Sequence, residues 1–470
     1  MTNFTGRCLV GGALALSGTI ALAANGPSDA AIAAVMKNHV KPGEPGCTVG
    51  VLEDGALTHA RAFGLADIGR GKPLDSHAVF NLASVSKQFT AFALLLLEQQ
   101  GKLKLDDPVV KHVPEITTSA RGVTLRQLMH HTGGLRDYIE VLYMKGRGDA
   151  DGSTIHETVL ALARQSAPNE KPGVEWDYSN TGYFLLGVVI ARASGQSLAE
   201  FSRQQIFEPL GMKNTSIVDR YPDGIAGLAR GYRREGEAFV VDETGWEQVG
   251  DGQVHSDIYD LALWDENFYT GKVGGRALVE RMYEVGLLND GSSTGYAAGL
   301  NVEESRGLTW VTHGGSWVGY RSSIMRVPAE HFSVITLCNR AELDAGAIAT
   351  EVAETFLKDK LGPEEPDEAE PERKPVAAAW EPKPLSRYAG AYFSDEANAR
   401  CVIDERGDKL VLETCAEGLV LKPGKNGEFG AAGSPLILRF APGTGEADGF
   451  VYWSPGLRGI PFSRVKESFE

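Results

Sequence analysis

The chain has 470 residues, with 62 acidic against 46 basic side chains and a formal net charge of −16. Its apolar and aromatic content is ordinary, so it can bury two or three cores, and disorder is excluded for most of it. The acidic balance excludes a surface that neutralises phosphates over a large area, and nucleic acid as a partner with it.

The opening MTNFTGRCLVGGALALSGTIALAANG carries one positive charge at Arg7, an apolar run too short to span a bilayer comfortably, and the small-residue site Ala21-Leu22-Ala23. It predicts a signal peptide over residues 1–23 and a secreted or periplasmic protein. Cys8 follows Gly6 and Arg7, a poor setting for lipid modification, and no later apolar run suits a transmembrane helix. No stable membrane anchor is expected after cleavage. Cys47, Cys338, Cys401 and Cys415 then remain, and an oxidising compartment permits disulfides among them in any of three connectivities. Cys401 and Cys415 flank DERGDK in a predicted hairpin and can approach one another, although their spacing around that turn is unsymmetrical. Buried free thiols are the alternative. No cysteine sits in a zinc-type spacing, and neither a metal nor a cofactor is expected.

CTVGVLEDGALTHARAFGLAD reads as two strands about Asp54-Gly55. NLASVSKQFTAFALLLLEQQGKL then reads as a helix that is apolar over most of its surface, with Ser84, Ser86 and Lys87 at its start. Residues three apart share a helix face, so Ser84 and Lys87 point the same way. A serine is a weak nucleophile until a base takes its proton. Burial against FTAFALLLL penalises the lysine ammonium and so favours its basic form. At the helix start, unsatisfied N–H groups favour negative charge on the serine oxygen. Ser86 reads as a helix-start hydrogen-bonding residue. A second S-x-x-K at Ser463 to Lys466 precedes no apolar helix.

TGYFLLGVVIARASG and SDIYDLALWDENFY read as further helices, and LTWVTHGGSWVGYRSSIMRVP and FSVITLCN as neighbouring strands. Strands at both ends of a helical middle suit one sheet with helices on its faces. Proline and glutamate crowd together over residues 362–379, the composition of an extended linker. Beyond it, residues 380–470 alternate in short apolar bursts and contain no histidine, which reads as an accessory all-β barrel or sandwich. The first unit spans residues 24–361.

NLASVSKQFTAFALLLLEQQGKLKLDDPV, VTLRQLMHHTGGLRDY, WDYSNTGYFLLGVVIARASGQSLAEF and IFEPLGMKNTSI together resemble the penicillin-recognising serine hydrolases. The branch is that of class C β-lactamases, D-aminopeptidases, D,D-carboxypeptidases and related esterases. The resemblance implies an α+β fold: a β-lactamase/transpeptidase-like antiparallel sheet flanked by helices, with an all-helical subdomain. It implies Ser84 as nucleophile, with Lys87 and Tyr178 sharing the general base work. Asn180, two residues after Tyr178, would hold Lys87 and a substrate amide. Without the resemblance, Tyr178 reads as a half-buried structural tyrosine. The family's Lys-Thr-Gly or His-x-Gly strand falls on His313-Gly314-Gly315, flanked by alternating apolar residues, whereas His131-Thr132-Gly133 and Lys272-Val273-Gly274 are out of place. By the same likeness His313, Gly315 and Ser316 border the substrate, and the N–H groups of Ser84 and Ser316 form an oxyanion hole.

A histidine where relatives carry lysine offers no permanent cation to a substrate carboxylate. In relatives it accompanies amidase, D-aminopeptidase and esterase activities. The expectation is therefore an exported hydrolase that forms an acyl-enzyme with small amides, peptides or esters, possibly D-configured. A class C-type β-lactamase and a non-catalytic envelope scaffold are the alternatives. Arg321, further along the same strands, is a candidate replacement cation, and the C-terminal domain is a candidate border of the cleft. His131 reads as a loop stabiliser. The helical run before Gly291-Ser292-Ser293-Thr294-Gly295 argues against a nucleophile elbow there, and the HETVL string at His156 lacks the second histidine of a zinc protease helix.

Overall fold

The computed structural model describes residues 27–219, 224–363 and 384–465, apart from 416–417, 425–426, 432 and 442–444. The predicted signal peptide and nearly all of the predicted linker lie outside the described residues.

β1 (Cys47–Glu53) turns at Asp54-Gly55 into β2 (Ala56–Phe63). Both turn residues have positive φ, 49° and 78°, which is why the tight hairpin uses this pair. Four late strands complete the sheet: β3 (Asn301–Ser305), β4 (Leu308–Trp317), β5 (Tyr320–Val327) and β6 (Phe332–Cys338). The antiparallel order is β3-β4-β5-β6-β1-β2, so the two ends of the domain meet at β6–β1. Cys47 lies opposite Cys338 there, and a disulfide joins them.

β1 is buried along all but its last residue because both faces are covered. Val49, Val51 and Val334 share a core with residues of α1 (Pro27–His39) and of the later helix Ala345–Leu357. Leu52, Ile335 and Leu337 face the opposite way, into the larger core with Ile258 and Trp264. The period of two along a strand sorts the residues between these cores.

α2 (Lys87–Gln99) is buried on every side from Lys87 to Leu97. An apolar circumference places a helix in the interior, and each leucine it buries contributes about 1.5–3 kcal/mol. Phe89 meets Phe207 and Trp264 at ring distances of 5.6 and 4.5 Å. α2 packs beside a second apolar helix that starts at Asn180 and ends at Ser194. The polar N-terminal ends of these two helices supply the side chains described below.

The C-terminal unit is a closed barrel of eight strands, the first Gly390–Ser394 and the last Arg458–Arg464. Its interior is filled by aromatic rings, among them Tyr388, Tyr392, Phe429, Phe440, Phe450 and Phe462. Cys401 and Cys415 are disulfide-bonded. Val141, Met144 and Ala161 of the larger domain belong to the same buried cluster, so the barrel is docked through apolar contact.

Candidate active site

Ser84 is presented by a strained turn. Ala83 has φ 47°, an unfavourable region for a residue with a Cβ. Asn81 holds it: its Oδ1 accepts from the Ala83 N–H at 2.8 Å, and its Nδ2 donates to Gln253 Oε1 at 2.9 Å. The short helical turn Ala83–Ser86 then leads into α2, leaving Ser84 partly exposed and Lys87 fully buried.

The Lys87 Nζ donates to Ser84 Oγ at 3.2 Å, Asn180 Oδ1 at 3.0 Å and the Asp251 carbonyl at 3.0 Å. It also lies 4.9 Å from the centre of the Tyr178 ring. Ser84, Lys87, Tyr178 and Asn180 are thus gathered into one place. Ser86, expected at the helix start, forms no cap; its Oγ accepts from the Val254 N–H at 3.0 Å.

Tyr178 and Asn180 flank Ser179, which is extended (φ −133°, ψ 120°) and caps the following helix by accepting from the Gly182 N–H. Alternation about an extended residue sends both neighbours to one side. His131 fixes this segment: its Nδ1 accepts from the Ser179 N–H at 3.1 Å, and its ring lies 4.3 Å from that of Tyr178. Asp137 Oδ2 accepts from the Asn180 N–H at 2.9 Å.

His313-Gly314-Gly315 does lie on a strand, β4, that passes the mouth of α2. A Cβ on Gly315 would stand 2.2 Å from Ser322 Oγ and 2.3 Å from the Leu82 carbonyl. Only glycine lets β4 approach the Ser84 turn this closely. His313 was expected to position substrate, but its nitrogens are already engaged: Nδ1 donates to the Gly314 carbonyl at 2.7 Å and Nε2 accepts from the Tyr296 hydroxyl at 2.9 Å. Burial, then the nearby Lys87 charge, push its pKa down to about 3. It is a neutral wall with no free donor. Arg321, paired with Ser316 across β4–β5, donates from Nη1 to the Val318 and Tyr320 carbonyls.

Asp251 and Tyr138 carry no sequence signal of their own. The Tyr138 hydroxyl donates to Asp251 Oδ2 at 2.8 Å, while Oδ1 has no protein partner. Burial raises the Asp251 pKa to about 6, against the lowering effect of Lys87. Ser84, Tyr178, Asn180, Asp251, Tyr138, His313 and Arg321 border one open cavity of about 760 Å³, walled also by Trp246, Trp317 and Ser316, with Lys87 buried behind Ser84. No described barrel residue lines it, contrary to the expectation that the C-terminal domain borders the cleft.

The rival motifs lie elsewhere. Ser293 is exposed in a turn, bridged to Leu287, without a strand before it or a helix after. His156 is exposed, and Glu157 beside it closes a capping box with Thr154. Lys466 of the second S-x-x-K lies outside the described residues.

Residues 29–356 match the beta-lactamase family, and the chain belongs to it. It is 30% identical over 436 residues to penicillin-binding protein 4* of Bacillus subtilis (strain 168), covering 87% of this chain and 93% of that protein. It is 25% identical to a D-aminopeptidase of Cereibacter sphaeroides over 83% of this chain and 72% of the relative. The octameric penicillin-binding protein homologue from Pyrococcus abyssi shares the fold at TM-score 0.60 and 24% identity, over 93% of this chain and 99% of that one. A D-amino acid amidase from Ochrobactrum anthropi SV3, complexed with L-phenylalanine amide, shares it at TM-score 0.59 and 24% identity, over 71% and 99% respectively. The protein is a serine hydrolase of this family.

Proposed function

We propose that the protein is an exported hydrolase that opens small amides or peptides, with D-configured residues or esters within its range, through an acyl-enzyme on Ser84. The observation that carries the choice of substrate is the charge of the cavity. Among the described residues that line it, Asp251 and Asp344 stand against Arg321, His313 is neutral, and the Lys87 ammonium behind Ser84 is taken up by protein acceptors. Such a lining favours an amine-bearing substrate over the carboxylate of a penicillin. Relatives named D-aminopeptidase support this ordering. The two disulfides support export to an oxidising compartment.

Lys87 is within hydrogen-bonding distance of Ser84 Oγ, Asn180 Oδ1 and the Asp251 carbonyl, and as the ammonium it holds Ser84 Oγ in place and leaves its proton to Tyr178. Tyr178, beside that cation, takes the proton as Ser84 Oγ bonds to the substrate carbonyl carbon. The N–H groups of Ser84 and Ser316 receive the developing oxyanion. Tyr178 passes the proton to the departing amine as the C–N bond breaks. Water, losing its proton to Tyr178, then attacks the acyl carbon, the bond from that carbon to Ser84 Oγ breaks, and Tyr178 returns the proton to the serine.

A panel of nitrocefin, short-chain p-nitrophenyl esters and D- and L-alanyl p-nitroanilides, run beside Ser84→Ala, tests this reading. D-alanyl anilide or ester turnover that vanishes in the variant supports it. Fast nitrocefin turnover with little else reverses it in favour of a β-lactamase.

A further inference from the structure

The barrel lines no part of the cavity, yet it grips the segments that carry two of the site's side chains. Its last hairpin turns through residues 454–457, between strands Gly449–Trp453 and Arg458–Arg464. This turn is stiffened from within, since the Ser454 N–H donates to the Leu457 carbonyl at 2.8 Å.

Two segments of the larger domain receive it. The Asp137 N–H of the first and the Asn169 Nδ2 of the second donate to the Gly456 carbonyl at 2.8 and 3.0 Å. The Glu140 carboxylate accepts from the Ser454 hydroxyl and, at 3.2 Å, from the Gly456 N–H. Arg136 donates to the Arg458 carbonyl at 3.2 and 2.9 Å and is ion-paired to Glu396, with both side chains buried. In the second segment, the Arg458 guanidinium pairs with Glu175 and, at 3.2 Å, with Asp177.

Both segments end at the chemistry. Asp137 receives the Asn180 N–H, and Asp177 directly precedes Tyr178. The Asp177 N–H also donates to the His131 carbonyl at 2.9 Å, and His131 receives the Ser179 N–H. The tyrosine is therefore held from the inner side by His131 and from the outer side by Arg458. The fit of the turn is close: a Cβ on Gly456 would stand 2.3 Å from Glu140 Oε1 and 3.1 Å from the Asp137 Cβ.

We propose that the 454–458 turn of the barrel is a positioning element for Tyr178 and Asn180, with Arg458 as its principal positioning residue. The barrel then acts on the rate of the chemical steps more than on substrate binding, because Arg458 reaches the proton carrier Tyr178 through Asp177 while no described barrel residue lines the cavity. A displacement of about 1 Å at a reacting group can lower a rate about 100-fold. The inference rests on the serine-hydrolase reading of the site.

The test uses the full chain with Arg458→Ala, Arg458→Lys and Gly456→Val, with Arg439→Ala as a control on an exposed barrel ion pair. Ser84→Ala stands alongside, and folding is monitored by circular dichroism melting. The expected result is a fall in kcat of about 10- to 100-fold for Arg458→Ala, with KM within about twofold, a partial return in Arg458→Lys, a fall in Gly456→Val, and normal kcat in Arg439→Ala. Folded Arg458→Ala and Gly456→Val proteins with normal kcat overturn the inference, as does a loss confined to KM. If Ser84→Ala retains full activity, the serine reading itself fails and the inference falls with it. An inactive Ser84→Ala beside normal Arg458 variants overturns the inference alone.

Discussion

The Lys87 ammonium lies 3.0 Å from Oδ1 of Asn180, so the start of one buried helix is stitched to the start of another at the point where Ser84 is exposed. A hydrogen bond to a charged group is worth about 1.5–3 kcal/mol. Asn180→Ala is expected to lower kcat/KM by about 10- to 150-fold, measured on any substrate the wild type turns over. A change below twofold contradicts the placement of Lys87.

Tyr178→Phe keeps the ring beside His131 and Lys87 but removes the proton carrier. General acid–base catalysis contributes about 10²- to 10⁴-fold, and kcat is expected to fall by that much with melting temperature unchanged. Near-normal turnover by the phenylalanine variant would assign the base work to Lys87 alone.

The sequence showed Ser84 and Lys87 plainly, because a spacing of three on an apolar helix is a local pattern. Tyr178 and Asn180 were legible only through resemblance, since what makes them functional is a contact with a lysine far off in the chain. The neutrality of His313 was foreseen; that Tyr296 and Gly314 occupy both its nitrogens was not, because neither partner shows any pattern in the sequence. Asp251 acts through a main-chain carbonyl and a buried carboxylate, features with no periodicity to read. The sheet built from both chain ends followed from element order. The Arg458 ion pairs did not, because they are tertiary contacts between domains.

Gly315→Ala drives a methyl group into the Leu82 carbonyl and Ser322 Oγ. Overpacking of this kind costs about 1–3 kcal/mol, so chemical denaturation is expected to show that loss together with reduced activity. Unchanged stability contradicts the close approach of β4 to the Ser84 turn.

His255 is buried and neutral, its pKa pushed down by burial to about 4 from an ordinary 6.5. The unfolded chain therefore binds a proton here that the folded chain refuses, and stability from this group, present above about pH 6.5, is lost as pH falls towards 4. Asp251, raised to about 6 by burial, works in the opposite sense over the same window. Comparison with His255→Gln isolates the histidine: the difference in unfolding free energy should change by up to about 1.4 kcal/mol per pH unit between those limits. Parallel curves contradict the buried neutral state.

The Cys47–Cys338 bond closes a sequence separation of 291 residues across the middle of the sheet. Removing such a link costs about 2–5 kcal/mol. Cys47→Ala/Cys338→Ala is expected to melt several degrees lower than the wild type, and equal melting temperatures contradict the bond's stabilising role.

The most direct measurement is tryptic mass spectrometry after reaction with a fluorophosphonate, on wild type and Ser84→Ala together. A phosphonyl adduct on the peptide containing Ser84, absent from the variant along with its hydrolytic activity, is the predicted result. An adduct on another serine, or hydrolysis that persists in Ser84→Ala, contradicts the account.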